Sequence, residues 1–216
     1  MKHIRVFVLI LCACFVSVAW SRQAAGNAST RWSEFHRSNM MRWDPYENVL
    51  NVKTVRNLHR KWSFATANLV FSSLAVANGV VYVGSLDNNV YALNAKSGAK
   101  LWSYATGNQI YSSPAVANGV VYVGSADNKV YALNAKTGAK LWSYPAGAAV
   151  ISSPAVANGV VYIGSDDNNV YALNAKTGTK LWSYITSGYV SSSPAVANGV
   201  VYLGSYDGKV YAFGLK

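Results

Sequence analysis

An all-β fold assembled from repeated four-stranded sheets is predicted by three features of the 216-residue chain. The first is a period. Trp62, Trp102, Trp142 and Trp182 stand forty residues apart, each followed by Ser and an aromatic residue. Residues 102–141 and 142–181 match at 30 of 40 positions. A fixed period of this size marks a solenoid, a propeller or an array. The second feature is the content of one period, which is short Val- and Tyr-rich runs split by turn signals, without helical periodicity. The third is a taper. In the repeat at residues 102–141 the first strand is built of Ser, Pro and Ala, while the fourth strand carries Trp and Tyr. A sheet thin at one edge and thick at the other is a wedge, and wedges around an axis make a β-propeller.

The repeat at residues 102–141 shows each element in turn. Residues 113–117 are extended. Asn118-Gly119 is a hairpin signal, because a type I′ turn needs positive φ at both central residues. Residues 120–125 form the second strand, Asp127-Asn128 turns the chain, and residues 130–134 form the third. Residues 135–138 turn again, with Gly138 suited to a left-handed position. Residues 140–144 form the fourth strand. Val121 and Val123 point to one face and Val120 and Tyr122 to the other. Both faces are apolar, so each sheet must lie between two others. The four repeat tryptophans, Trp62, Trp102, Trp142 and Trp182, are read as core packing.

The phase of the repeat bears on closure. Residues 60–64 align with a fourth strand but have no first three strands before them. Residues 193–214 supply three strands and no fourth. The N-terminal strand is therefore expected to complete the last blade. It closes a four-blade ring within one chain or, exchanged between two chains as a homodimer, makes half of an eight-blade ring. A truncated gene product is a third reading.

The string Ala132-Leu-Asn-Ala-Lys-Thr-Gly-Ala-Lys-Leu-Trp142, with Ser113-Ser-Pro-Ala-Val-Ala-Asn-Gly-Val-Val-Tyr-Val-Gly-Ser125, resembles the pyrroloquinoline-quinone (PQQ)-type propeller repeat. The family pattern reads Ala-x-Asp-x-x-Thr-Gly-x-x-x-Trp. Here Asn94, Asn134 and Asn174 stand at the usual Asp, and Ser97 replaces Thr in the first copy. The resemblance covers about residues 32–216 and implies a propeller. It implies no single activity, since such repeats occur in quinoprotein alcohol dehydrogenases and in non-enzymatic propellers, including an outer-membrane assembly lipoprotein.

Three segments are expected: a signal peptide at 1–19, a lead-in at 20–59, and the repeats at 60–216. Lys2 and Arg5 precede an apolar run at 6–19, which is too short to span a membrane comfortably. Small residues at Ser17 and Ala19 suit cleavage, which directs the chain to a secreted or periplasmic compartment. Leu11-Cys-Ala-Cys14 also reads as a lipobox that would anchor Cys14. Both cysteines lie in this segment, so the processed chain is expected to have no disulfide. The formal net charge is +11. The repeat lysines recur singly beside turns, which argues for a solvated rim rather than a nucleic-acid surface.

Catalytic chemistry is sparse. His36 and His59 have no metal-ligand or triad partner at useful spacing. The Asp87, Asp127, Asp167 and Asp207 turns offer mostly one carboxylate each, short of a calcium loop. By the resemblance, a quinoprotein dehydrogenase would need a catalytic Asp, a calcium cradle and usually adjacent cysteines. No cofactor is therefore expected, with PQQ and calcium as the alternative. The copies differ chiefly in the connectors at 65–71, 105–111, 145–151 and 185–191, and at Leu86, Ala126, Asp166 and Tyr206. In a meander these loops emerge on one face. That face, with Phe71, Tyr111, Asp166, Tyr189 and Tyr206, is the expected site for a protein or polysaccharide partner. The function expected is a non-catalytic binding scaffold, and the alternative is a quinoprotein dehydrogenase-like module.

Overall fold

The structure, a computed structural model, describes residues 48–215. The expected signal peptide, Cys14 and most of the lead-in lie outside the described residues. After a 3-10 turn at Val55–Asn57, all regular structure is β. Blade 1 is β1 (Ala75–Ala77), β2 (Val80–Gly84), β3 (Asn89–Asn94) and β4 (Lys100–Ala105). Blade 2 is β5 (Ala115–Ala117), β6 (Val120–Ser125), β7 (Lys129–Asn134) and β8 (Lys140–Pro145). Blade 3 is β9 (Ala155–Ala157), β10 (Val160–Gly164), β11 (Asn169–Asn174) and β12 (Lys180–Ile185). Blade 4 has only β13 (Ala195–Ala197), β14 (Val200–Gly204) and β15 (Val210–Gly214). Every sheet is an antiparallel meander in chain order.

The turns follow from local chemistry. Asn118 and Gly119 have φ of 50° and 77°, as a type I′ hairpin demands. Gly138 has φ of 73°, and a Cβ there would fall 2.7 Å from the Trp102 ring. This glycine is thus required twice, for its left-handed backbone and for the tryptophan lying on it. Trp102 Nε1 also donates to Ala135 O at 3.0 Å. The tryptophan of one blade is thereby pinned to the turn of the next. Trp62 and Trp142 repeat the arrangement on Ala95 and Ala175. A bulge between Ala132 and Leu133, repeated in blades 1 and 3, lets Trp142 pair with Ala132 and leaves Leu141 exposed.

Blade 2 is buried by its neighbours on both faces. Val121 and Val123 pack with Tyr82 and Trp102 of blade 1. Tyr122 packs on the other face, with Val161 and Ile163 of blade 3. The short inner strands β1, β5, β9 and β13 touch in succession, where only small side chains fit.

The four blades form an open arc. β1 and β13 make no contact comparable to that of neighbouring inner strands, so the closed four-blade ring is not formed. The expectation that residues 60–64 pair with blade 4 of the same chain is corrected here. They carry no strand pairing and lie on the first face of blade 1, where Trp62 and Phe64 cover Val81, Val83 and Tyr91. The reason is that the tryptophan's docking partners, Ala95 and Gly98, belong to the following blade, and this half of the contact forms without the ring closing.

Candidate binding face

The connectors and the second-to-third hairpins meet by direct backbone hydrogen bonds. Leu86 N–H donates to Leu69 O, Ala126 to Gln109 O, Asp166 to Ala149 O and Tyr206 to Tyr189 O, at 2.8–2.9 Å. The two variable loop sets therefore form one face, as the meander predicts. A carboxylate fixes each junction. Asp127 Oδ2 accepts the Gly107 N–H at 2.7 Å and the Tyr131 hydroxyl at 2.6 Å. Asp87, Asp167 and Asp207 do the same with Ala67 and Tyr91, Gly147 and Tyr171, and Ser187 and Tyr211. The hairpin turns expected at these aspartates are present, and the latch is an interaction that turn chemistry alone does not predict. Its signal is the Asp-x-x-x-Tyr spacing, present in all four repeats.

The latch perturbs both partners. Burial pushes the Asp87 and Asp167 carboxyls up. Hydrogen bonds from the tyrosine, the connector N–H and the neighbouring Asn outweigh it, and both sit below the usual aspartate value. Burial, then the Asp87 hydrogen bond, pushes the Tyr91 hydroxyl up to about 12. The loops are variable in sequence but rest on a half-buried polar frame.

The expected site residues fall in two groups. Phe71 and Tyr111 pair at 6.0 Å between ring centroids, just before the inner strands of blades 1 and 2. Tyr189 and Tyr206 pair at 6.2 Å at blade 4. All four are exposed. Asp166 lies between the groups, accepting the Ser191 hydroxyl at 2.7 Å. Leu86 is buried beneath its connector and offers no surface, unlike its counterparts Ala126, Asp166 and Tyr206. Lys136 and Lys176 lie at the opposite turns, where Asn134 and Asn174 side chains accept their backbone N–H groups.

The carboxylates do not make a cradle for calcium and a quinone. Asp87 and Asp167 have both oxygens engaged by O–H or N–H donors of the latch. Among the described residues no group of three or more His, Cys, Asp or Glu could hold a metal ion. Asn168 Oδ1 is buried without a hydrogen-bond partner, but one amide oxygen is far short of a calcium shell. No helix among the described residues is long and apolar enough to cross a membrane.

A family profile described as outer membrane protein assembly factor BamB matches residues 59–154 and 147–216. The chain belongs to that family. No curated protein matches it. Among solved structures, BamB from Moraxella catarrhalis is similar at 22% identity and a TM-score of 0.64. The match covers 71% of this chain and 49% of that one, so this chain spans about half the length of that relative. The computationally designed Ika4 protein matches at 19% identity and a TM-score of 0.64, covering 70% of this chain and 94% of that one. A quinohemoprotein alcohol dehydrogenase from Comamonas testosteroni matches at 20% identity and a TM-score of 0.69, covering 81% and 35%. At these identities the likeness is one of fold.

Proposed function

We propose that this chain is a non-catalytic scaffold of a secreted or periplasmic compartment. It presents the connector face to a protein or polysaccharide. The observation that supports this best is the division of the repeats into a constant frame and a variable face. The frame comprises the tryptophan docking, the Asn-Gly turns and the aspartate–tyrosine latch. The face carries exposed aromatics, and tyrosine offers apolar contact area with a polar tip. Membership of a family described by an assembly factor is consistent with protein binding. The test is capture of outer-membrane proteins and cell-wall glycans by the immobilised protein. Tyr189→Ala with Tyr206→Ala should weaken capture about tenfold, the scale of a moderate interface anchor. Lys136→Ala with Lys176→Ala should leave it unchanged. The reverse result would reject this face.

A quinoprotein-like module is the second reading, supported by the likeness to the Comamonas testosteroni dehydrogenase, of which the match covers 35%. Alcohol-dependent dye reduction after adding PQQ and calcium would establish it. The engaged carboxylates of the latch argue for no reduction.

A further inference from the structure

We propose that the face opposite the connectors is a seat for a membrane surface rich in anionic phospholipid headgroups. The inference does not rest on the connector-face reading, because it concerns other residues at the other end of the blades.

That face is built by turns. Ala95 N–H donates to Gly79 O, Ala135 to Gly119 O and Ala175 to Gly159 O, each at 2.9 Å. In blades 1, 2 and 3 the Asn-Gly hairpins thus meet the third-to-fourth turns on one side, as the connectors meet the second-to-third hairpins on the other. Each third-to-fourth turn carries two exposed lysines, Lys96 with Lys100, Lys136 with Lys140 and Lys176 with Lys180. Asn94, Asn134 and Asn174 side chains accept the Lys96, Lys136 and Lys176 backbone N–H groups at 2.9 Å, which holds the backbone beneath the lysines.

Charge is divided between the two faces. The acidic side chains among the described residues are Asp87, Asp127, Asp166, Asp167 and Asp207, all in second-to-third hairpins. Lys129 and Lys209 stand beside them, and Lys209 pairs with Asp207 at 3.7 Å. At the opposite turns there is no carboxylate among the described residues, so the fields of the six lysines add without neutralisation. The asparagines contribute to this. The repeat pattern that the chain resembles has Asp where Asn94, Asn134 and Asn174 stand, and each would place a carboxylate among the lysines. Asn supplies the same side-chain oxygen to the turn and no negative charge.

What the positive arc meets is decided by its apolar neighbours. Leu101, Leu141 and Leu181 follow Lys100, Lys140 and Lys180 at the start of the outer strands and are 51%, 51% and 55% exposed. The bulge after Ala92, Ala132 and Ala172 leaves each leucine without a cross-strand partner. A lysine beside an exposed leucine suits the boundary between headgroups and acyl chains, where the leucine leaves water and the ammonium stays among the phosphates. A nucleic acid would need exposed rings for its bases to stack on. Trp102 and Trp142 are instead buried against the Ala135 and Ala175 turns. An anionic polysaccharide in water gives the leucines nothing to cover them. Seated on a membrane this way, the chain turns Tyr189 and Tyr206 of the connector face outward.

The test is co-sedimentation of the full chain with vesicles of phosphatidylcholine alone, or of phosphatidylcholine and phosphatidylglycerol in equal parts. Binding about tenfold tighter or more to the anionic vesicles is expected, and it should fall as salt is added. Lys140→Gln with Lys180→Gln should weaken it about tenfold or more, on a scale of about fivefold for each basic residue near the surface. Lys129→Gln with Lys209→Gln removes the same charge from the connector face and should leave binding nearly unchanged. Leu101→Ser with Leu141→Ser should weaken vesicle binding and leave binding to duplex DNA as it was. The melting temperatures of all these variants should match that of the unaltered chain, which separates lost binding from lost folding. Equal affinity for the two kinds of vesicle overturns the proposal, as does an equal loss from the two lysine pairs. So does vesicle binding that the leucine pair leaves intact, which would assign the face to a polyanion in solution.

Discussion

Blades 2 and 4 match at most positions of their first three strands and keep them in different surroundings. Val130 in blade 2 is fully buried, while Val210, at the same place in blade 4, is 81% exposed. Trp142, on the side of blade 2 that faces blade 3, is 9% exposed, while Trp182, on the side of blade 3 that packs on Phe213 of blade 4, is 40% exposed. The strands, hairpins and registers of the two blades agree. Local sequence therefore sets the meander, and the adjoining blade sets burial. The apolar area removed from water belongs to the stack of blades rather than to the repeat, as in other repeat architectures.

The largest expected effect tests this difference directly. Trp142→Ala should destabilise by about 3–5 kcal/mol, as for a large aromatic deleted from a core. Trp182→Ala should cost less, about 1–2 kcal/mol, because less apolar area is lost from contact. Chemical denaturation of the two variants measures both. Equal losses would show that the end of blade 4 is as well covered as the interior.

A second prediction turns on the second-strand glycines, over which the following connector closes. A Cβ at Gly124 would stand 2.4 Å from Val150 O, a backbone atom with little freedom to yield. Gly124→Ala should cost about 1–3 kcal/mol, the usual range for overpacking. At Gly204 a Cβ meets nothing nearer than 3.7 Å, and Gly204→Ala should leave the melting temperature unchanged. A large loss there would mean that this glycine is covered as well.

Much of this architecture was legible in the sequence. The Asn-Gly pairs, the period and the taper are local or repeated signals. The expected strands 120–125 and 140–144 agree with β6 and β8 to within one residue. The aspartate–tyrosine latch is not evident from sequence although it recurs every forty residues, because its second partner lies on a connector twenty residues away and Asp127 taken alone has a sufficient local explanation in a turn. Repeat phase aligns residues 60–64 with a fourth strand, yet in the structure they carry no strand pairing and lie on the first face of blade 1, because phase records alignment and not the contact a segment makes. Of the expected binding residues, Phe71, Tyr111, Tyr189 and Tyr206 are exposed and paired, while Leu86, on the same set of loops, turns inward.

The smallest expected effect separates the constant frame from the variable face by pH. Tyr91 is raised in the folded chain from about 10 to about 12, first by burial and then by its hydrogen bond to Asp87. The folded chain thus holds this proton over a range in which the unfolded chain has released it. Stability from the latch is fully present below pH 10 and is lost as pH rises through the window from about 10 to about 12. Asp87 has the opposite sense. Its folded value is depressed, so its contribution is present above the ordinary carboxylate value and is lost as pH falls below it. Tyr91→Phe removes the donor and leaves Asp87 with the Ala67 and Asn89 N–H groups. It should cost about 1 kcal/mol at neutral pH, a typical single hydrogen bond. It should also flatten both limbs of the stability profile, the alkaline one because the raised tyrosine is gone and the acid one because Asp87, with one donor fewer, is depressed less. The exposed Tyr206, which makes no such latch, should leave both limbs in place when changed to Phe. Unfolding free energies measured from pH 3 to pH 12 decide the matter, and identical profiles for the two variants would remove the latch from the frame.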